Sequence, residues 1–247
     1  KIDLTAMQEN LSSYKGKTST SSPSPHEWEN AFGDADVVFC ITITSSLSGT
    51  YNSAVIAKDI YEHNHTGRKV YVLDSLSTGP EIALFIEKIA ELIKAGFAPD
   101  DIYKTLLEYK DKTHLYFSLA SLNNFAKNGR ISPVIAAGIG LLGVRVVGKA
   151  SDEGTLLPLD KCRGEKRALK KLIDHLKECG YTDGKIIIAH NNNEAGALEL
   201  KKLIENTFGI FNGTIQKTRA LCSYYAEPGS LLIGFEASLC NHKPYKD

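Results

Sequence analysis

The feature that most constrains this chain is a pattern that occurs twice. A continuous run of β-branched and apolar residues leads straight into a hydroxyl-rich turn closed by glycine, and the turn leads into a helical stretch. Val37-Val38-Phe39-Cys40-Ile41-Thr42-Ile43 ends in Thr44-Ser45-Ser46-Leu47-Ser48-Gly49-Thr50 and continues as a helical pattern to about Tyr61. Lys69-Val70-Tyr71-Val72-Leu73 ends in Asp74-Ser75-Leu76-Ser77-Thr78-Gly79, with a helix expected from about Pro80 to Lys94. A strand that is apolar without alternation is buried on both faces, as a parallel sheet requires. Strand, turn and helix in succession form the βαβ unit, and ligands of such sheets settle at the carboxyl ends of the strands.

Around this core the pattern is plainer. Asp3 can cap a short helix through Leu11, and Ser12 to Pro25 reads as a loop. A helix around Pro99 to Tyr109 precedes the strand Leu115–Leu119, after which the texture changes to short helices and the Gly-rich run Ala136 to Gly143. A domain boundary is therefore expected near residue 120, separating an N-terminal α/β domain (1–120) with a mostly parallel sheet from a C-terminal α/β domain (121–247). The second domain should hold a turn at Asp152-Glu153-Gly154, a helix over Gly164–Cys179, a strand over Lys185–Ala189 and a helix over Glu194–Phe208. Two closing strands are expected around Thr214–Leu221 and Ser230–Glu236.

Bulk properties exclude several classes. Twenty-nine Lys and Arg against 29 Asp and Glu leave no broad basic surface, so nucleic acid is not an expected partner. Cys40, Cys162, Cys179, Cys222 and Cys240 are odd in number and widely spaced, which suggests reduced thiols with neither a disulfide framework nor a zinc site. The apolar run Ile135–Val147 is broken by glycines and Arg145, too short for a span of about 20 residues, so no membrane insertion is expected. The polar opening Asp3-Leu4-Thr5-Ala6 is unlike a secretion signal and favours a cytoplasmic address.

Two segments carry chemistry: Thr20-Ser21-Ser22-Pro23-Ser24-Pro25 and Thr44 to Thr50. Each offers several hydroxyls, and the second feeds a helix N-terminus, a natural place for an anion. A phosphate loop would place Lys after its glycines, but Gly49 is followed by Thr50 and Tyr51. A carboxylate, with a single charge, can be held by hydroxyls alone. The plain alternative is that Ser48 or Thr50 merely caps the helix. A serine hydrolase built on Ser45 or Ser48 is the rival enzyme reading, but it would need glycines on both sides of the serine. His190 reads as part of a capping loop, Asp74-Ser75 as a helix cap, Arg163 with Lys166 and Arg167 as an exposed helix face, and Trp28 as core.

These segments resemble the DegV family, whose members show a TSxPSP loop, an I-S-S-x-L-S-G-T turn and a G-G-R-I element. Here the three read Thr20 to Pro25, Ile43 to Thr50, and Asn128-Gly129-Arg130-Ile131. The resemblance implies two α/β domains with a long-chain fatty acid, such as palmitate, stearate or oleate, in the cleft between them. It also implies presentation of that acid to a separate fatty acid kinase, with no catalytic residue, metal or cofactor in the carrier itself. Thr20 and Ser45 would hold the carboxylate, Thr44 standing by as the neighbour in register, with Ser21, Ser48, Gly49 and Thr50 around it and Arg130 near the head group. Two departures are visible. Where the family carries His in an H-x-G-P-G element, this chain reads Tyr225-Ala226-Glu227-Pro228-Gly229, so Tyr225 is the expected hydrogen-bonding partner there. The family also opens with a strand and a T-D-S turn, and this chain begins beyond them, so that strand is expected to be missing from the first sheet.

Overall fold

The computed structural model describes residues 2–14, 16, 18–136 and 143–237. In chain order these form α1 (Leu4–Ser13), α2 (Pro25–Phe32), β1 (Val37–Thr42), α3 (Thr50–Asn64), β2 (Lys69–Asp74), α4 (Gly79–Lys94), α5 (Pro99–Lys110), β3 (Thr113–Leu119), α6 (Asn123–Lys127), α7 (Pro133–Ala136), β4 (Val144–Ala150), β5 (Leu156–Arg163), α8 (Glu165–Glu178), β6 (Ile186–His190), α9 (Glu194–Phe208), β7 (Gly213–Lys217), α10 (Ala220–Ala226) and β8 (Leu231–Glu236). Residues 137–142 of the expected Gly-rich run lie outside the described residues.

The two β-branched runs pair in parallel as a two-stranded sheet, Val37 opposite Lys69 through Thr42 opposite Asp74. The remaining strands form a six-stranded sheet in the order β5-β4-β3-β8-β6-β7, antiparallel except for the β6–β7 pair. The boundary expected at residue 120 does not divide the sheets. β3 lies before it, yet pairs with β4 on one side and β8 on the other.

The large sheet has two differently clothed faces, and the period of two along each strand decides which residue goes where. Tyr116, Val147, Ile186, Ile188, Ile233 and Phe235 pack under Leu169, Leu172 and Leu176 of α8 and Leu200 and Ile204 of α9. On the opposite face lie Leu115, Phe117, Leu119, Val146 and Leu232. There α4 packs on β8, β6, β3 and also β1, so it is a layer shared by both sheets. Its apolar side, Leu84, Phe85, Ile89 and Leu92, joins Leu73 of β2, Ile187 of β6 and Ile102 and Leu106 of α5. On the far side of the small sheet, α2 and α3 bury Phe32, Ala54, Ala57 and Tyr61 against Cys40, Val70 and Val72.

Local chemistry sets the helix starts. The Asp3 carboxylate accepts from the Ala6 N–H, 3.1 Å. Ser24 and Glu27 form a capping box, with Ser24 N–H donating to Glu27 Oε2 at 2.7 Å and Glu27 N–H to Ser24 Oγ at 3.3 Å. Val144–Ala150 and Leu156–Arg163 form a β-hairpin around the expected Asp152-Glu153-Gly154 turn, and one expectation needs correction: Ala220–Ala226 is a helix, not the tail of a strand. β7 stops at Lys217 because the chain turns there, where the Thr218 and Ser223 side chains bond each other at 2.7 Å. Cys40, Cys162 and Cys222 are free thiols, whereas Cys179 is disulfide-bonded, contrary to the reading of uniformly reduced cysteines.

The hairpin turn reaches across to the small sheet. Ser46 Oγ donates to Glu153 O, and a Cβ on Gly154 (φ +76°) would collide with Thr44 Oγ1 and press on Leu76. Gly154→Ala should therefore cost more than about 2 kcal/mol, combining left-handed strain with the clash. Gly96→Ala, at a similar φ of +81° with open space around it, should show the strain alone. Denaturant midpoints of the two variants measure the difference, and equal losses would mean that the turn does not bear on Thr44.

Glu81, in the first turn of α4, is buried at 4% exposure and accepts from Thr113 Oγ1 at 2.8 Å. Burial pushes its carboxyl up from the ordinary 4.5 to about 7. A folded value above the unfolded one means that the folded state holds the proton more tightly. This contribution to stability is therefore full below about pH 4.5 and is lost as pH rises to about 7. Relative to Glu81→Gln, the wild-type chain should lose about 3 kcal/mol between pH 4 and pH 8. Urea unfolding at both pH values checks this, and parallel pH profiles for the two proteins would contradict it.

Candidate functional site

Between the two sheets lies a cavity of about 460 Å³, within the range of roughly 300–1,000 Å³ usual for small-molecule sites. One wall is the large sheet, through Leu115, Phe117, Leu119 and Leu232. The opposite wall is the carboxyl end of β1 (Ile41, Thr42, Ile43) and the two β–α turns, with Ile82 of α4. α10 contributes Leu221, Cys222, Tyr225 and Ala226, and the β4–β5 hairpin adds Ala150, Gly154, Thr155 and Leu156. The cavity thus lies where the parallel strands end, as the βαβ pattern leads one to expect.

The two turns are tied to each other before they face anything else. Thr44 N–H donates to Ser77 O at 2.9 Å and Ser75 N–H to Thr42 O at 3.3 Å. The Asp74 carboxylate accepts from Ser45 N–H at 3.1 Å and from Leu76 N–H at 3.1 Å, so Asp74 is a turn-forming residue. This arrangement decides the register. Thr44 is buried and lines the cavity, while Ser45 is exposed and does not. Of the two expected neighbours the structure thus brings Thr44 to the cavity wall, while the Ser45 amide is drawn to Asp74 and its side chain stands outside the lining.

The hydroxyls that line the cavity have hydrogens to spare. Thr44 Oγ1 accepts from Ser46 N–H at 3.2 Å, which leaves its own hydrogen for donation. Thr20 Oγ1 and the Tyr225 hydroxyl are 2.8 Å apart. One of the pair donates to the other, so one hydrogen of the two remains free. Ser48 Oγ pairs with Thr50 Oγ1 at 2.7 Å and accepts from Thr50 N–H at 3.3 Å, but the N-cap of α3 is Gly49, with no side-chain cap, so neither Ser48 nor Thr50 caps the helix as the plain alternative had it; both residues line the cavity together with Ser21 and Gly49. Gly49 lies against the first loop, where a Cβ would meet Ser22 Oγ, and Ser53 Oγ of α3 donates to Pro23 O at 2.6 Å.

Arg130 is the one charged side chain lining the cavity among the described residues. Its Nε donates to Leu47 O at 3.1 Å and its Nη1 to Asn128 O at 2.6 Å. The guanidinium thereby pins the second hydroxyl turn to the Asn128–Ile131 element and keeps other N–H groups free at an exposed position. Tyr225 is held by Phe125, ring centroids 4.8 Å apart, and by Tyr224 at 4.9 Å. The Tyr224 hydroxyl donates to Thr18 O at 3.0 Å and accepts from Asn128 Nδ2 at 2.9 Å, so α10 binds the first loop and the arginine element together.

A serine hydrolase needs a histidine beside its serine. No histidine lines the cavity among the described residues. His190 is buried elsewhere and accepts through Nδ1 from Asn193 N–H at 3.3 Å, the capping-loop role expected of it. Cys222 in the wall has its thiol pushed up by burial, with Thr78 Oγ1 at 3.5 Å, which disfavours the thiolate that nucleophilic attack needs. What remains is a set of neutral donors and one cation beside an aliphatic wall, suited to an acidic head on an apolar body.

Sequence reasoning missed Leu221, Cys222, Phe125 and Trp28 as wall residues. The spacing of Leu221, Cys222, Tyr225 and Ala226 is a helical stripe that could have revealed the α10 contribution. Trp28 carried no such signal, since a core tryptophan and a cavity tryptophan look alike in sequence.

Residues 1–238 match the family described as "Uncharacterised protein, DegV family". A DegV domain-containing protein of Streptococcus pneumoniae (strain ATCC BAA-255 / R6) is 41% identical over 235 residues, covering 95% of this chain and 84% of the relative. A DegV family protein from Eubacterium eligens, solved loaded with heptadecanoic acid, superposes with a TM-score of 0.93 at 40% identity, over 96% of this chain and 86% of that one. The Streptococcus pneumoniae Fatty Acid Kinase (Fak) B3 protein, solved loaded with linoleic acid, gives 0.94 at 40% identity over 96% and 84%. With a family match over residues 1–238 and a relative 41% identical over 95% of this chain, the chain belongs to the DegV family.

Proposed function

We propose that this chain binds one long-chain fatty acid in the cavity between its sheets and carries it without performing chemistry of its own. The observation that supports this most strongly is the division of the cavity wall. Hydroxyls with unused hydrogens, Thr44 and the Thr20–Tyr225 pair, stand at the turns with Arg130 nearby, and the sheet side is aliphatic and aromatic. A carboxylate accepts from the hydroxyls by charge-assisted hydrogen bonds, and the methylenes take the sheet side. Ser21, Ser48, Gly49 and Thr50 complete the wall around the head group, with Thr44 in the place first expected of Ser45. The similar proteins from Eubacterium eligens and Streptococcus pneumoniae were crystallised with heptadecanoic and linoleic acid, which favours the same class of ligand here.

The energetics suit a carrier. About 0.8 kcal/mol per buried CH₂ over some fifteen methylenes gives roughly 12 kcal/mol before ordering costs, enough for submicromolar affinity after losses. In our reading the partner is a fatty acid kinase, which takes the exposed Arg130 edge as its point of approach, and the setting is cytoplasmic. The likeness to the Fak B3 protein supports that partner class.

Mass spectrometry of an organic extract of the purified protein should find one equivalent of long-chain fatty acid. An empty extract combined with no uptake of added palmitate or oleate would refute the carrier reading. In the delipidated protein, Thr20→Val together with Thr44→Val should weaken palmitate binding by about 2–4 kcal/mol, since each charge-assisted bond is worth about 1.5–3 kcal/mol and the two are not fully additive. Ser45→Ala should change it less than about threefold, under about 0.7 kcal/mol. The reverse ranking, measured by calorimetry, would return the head group to Ser45.

A further inference from the structure

Among the described residues, positive φ occurs outside glycine at Leu76, Asn192 and Glu227. Glu227, which closes α10, is held at φ +57° and ψ 159°. The next residue is Pro228, and a proline drives the residue before it to extended ψ. The left-handed well that a side chain tolerates at positive φ, with ψ of about +30 to +60°, is therefore closed to Glu227. What is left is a region that glycine alone occupies freely. The chain on either side is pinned. Ser230 Oγ donates to Ala226 O, Gly229 N–H donates to Asn191 O at 2.8 Å, and Gly229 O accepts from Arg145 Nη1 at 2.7 Å.

The side chain carried by this strained backbone holds one element. Glu227 Oε1 accepts from Ser121 Oγ at 2.9 Å and from Asn124 N–H at 3.0 Å, a first-turn amide of α6 that no N-cap side chain serves. With five residues, α6 is too short to persist without such ties. It carries the parts that frame the Thr20–Tyr225 pair. Phe125 stacks on Tyr225, Asn124 Nδ2 donates to Tyr224 O at 2.8 Å, and Arg130 N–H donates to Phe125 O at 2.9 Å. We infer that Glu227 is a positioning residue whose carboxylate, set on a backbone fit for glycine, clamps α6 so that Phe125, Tyr225 and Arg130 keep the geometry that receives the acid head. The inference rests on the cavity taking an acyl carboxylate, and it adds a residue that is not itself part of the cavity wall.

The test uses the full chain, delipidated, with palmitate titrated into wild type and two variants. Glu227→Gly relieves the backbone and removes the clamp, whereas Glu227→Gln keeps the side chain's length and an acceptor oxygen. Glu227→Gly should melt no lower than wild type, because relief of strain offsets the lost bonds, yet bind palmitate about tenfold more weakly. Glu227→Gln should stay within about threefold of wild type. In protein labelled with ¹⁵N, the Arg130 Nε–H signal, displaced in wild type by its bond to Leu47 O, should move to the position of free arginine in Glu227→Gly and stay in place in Glu227→Gln. A residue that only stabilises the fold would lower the melting temperature and leave that signal unmoved. Wild-type affinity in Glu227→Gly, a melting temperature that falls together with affinity, a Glu227→Gly chain that does not fold, an Arg130 signal unmoved in Glu227→Gly, or a Glu227→Gln variant as weak as Glu227→Gly would each overturn the inference. Absence of palmitate binding to wild type would instead fail the carrier reading itself, so the two failures are distinguishable.

Discussion

The site depends on the way two β–α turns hold one another. The backbone bond from Thr44 to Ser77 and the Asp74 carboxylate on the amides of Ser45 and Leu76 lock the turns into one surface. Fixing the turn in this way leaves Thr44 buried at the cavity wall and Ser45 exposed. A slip of one residue would exchange a buried hydroxyl for an exposed one. The free hydrogens on which the proposed carboxylate site rests follow from this frame, and so does the tight seat of Gly154 on Thr44.

A second constraint gives the cavity its depth. α4 packs against strands of both sheets, so the small parallel sheet and the large mixed sheet form a single layered body held apart by one helix. Where α4 ends its reach, the gap is lined on one side by the carboxyl ends of the parallel strands and on the other by the apolar face of β3 and β8. The polar and apolar ends are thus products of topology: turns supply donors because turns carry hydroxyls, and the sheet face supplies Leu115, Phe117 and Leu232 because alternate residues of its strands point that way.

Much of this was legible in the sequence, because the strongest signals are local. The runs over 37–43 and 69–73, their hydroxyl turns and the helix over 194–208 depend on composition and periodicity that any short window shows. What was not legible depends on distant partners. β5, with Pro158, Asp160 and Lys161, is an edge strand that only its pairing with β4 makes extended. α10 follows directly on a short strand, and its helical stripe is only seven residues long. The choice between Thr44 and Ser45 rests on Asp74, 29 residues from Ser45. The pairing of β3 was hidden for the same reason, since it takes both neighbours, β4 and β8, from later in the chain than residue 120.

The central claim is one of orientation: acid at the turns, tail along the sheet. Isotope-filtered nuclear Overhauser spectra of the protein bound to ¹³C-labelled palmitate test it directly. The protons on carbon 2 should show contacts to the methyl groups of Thr20 and Thr44, and carbons further along the chain should contact Phe117 and Leu232. Contacts from carbon 2 to Phe117 and Leu232, with the terminal methyl at Thr20 and Thr44, would contradict the account.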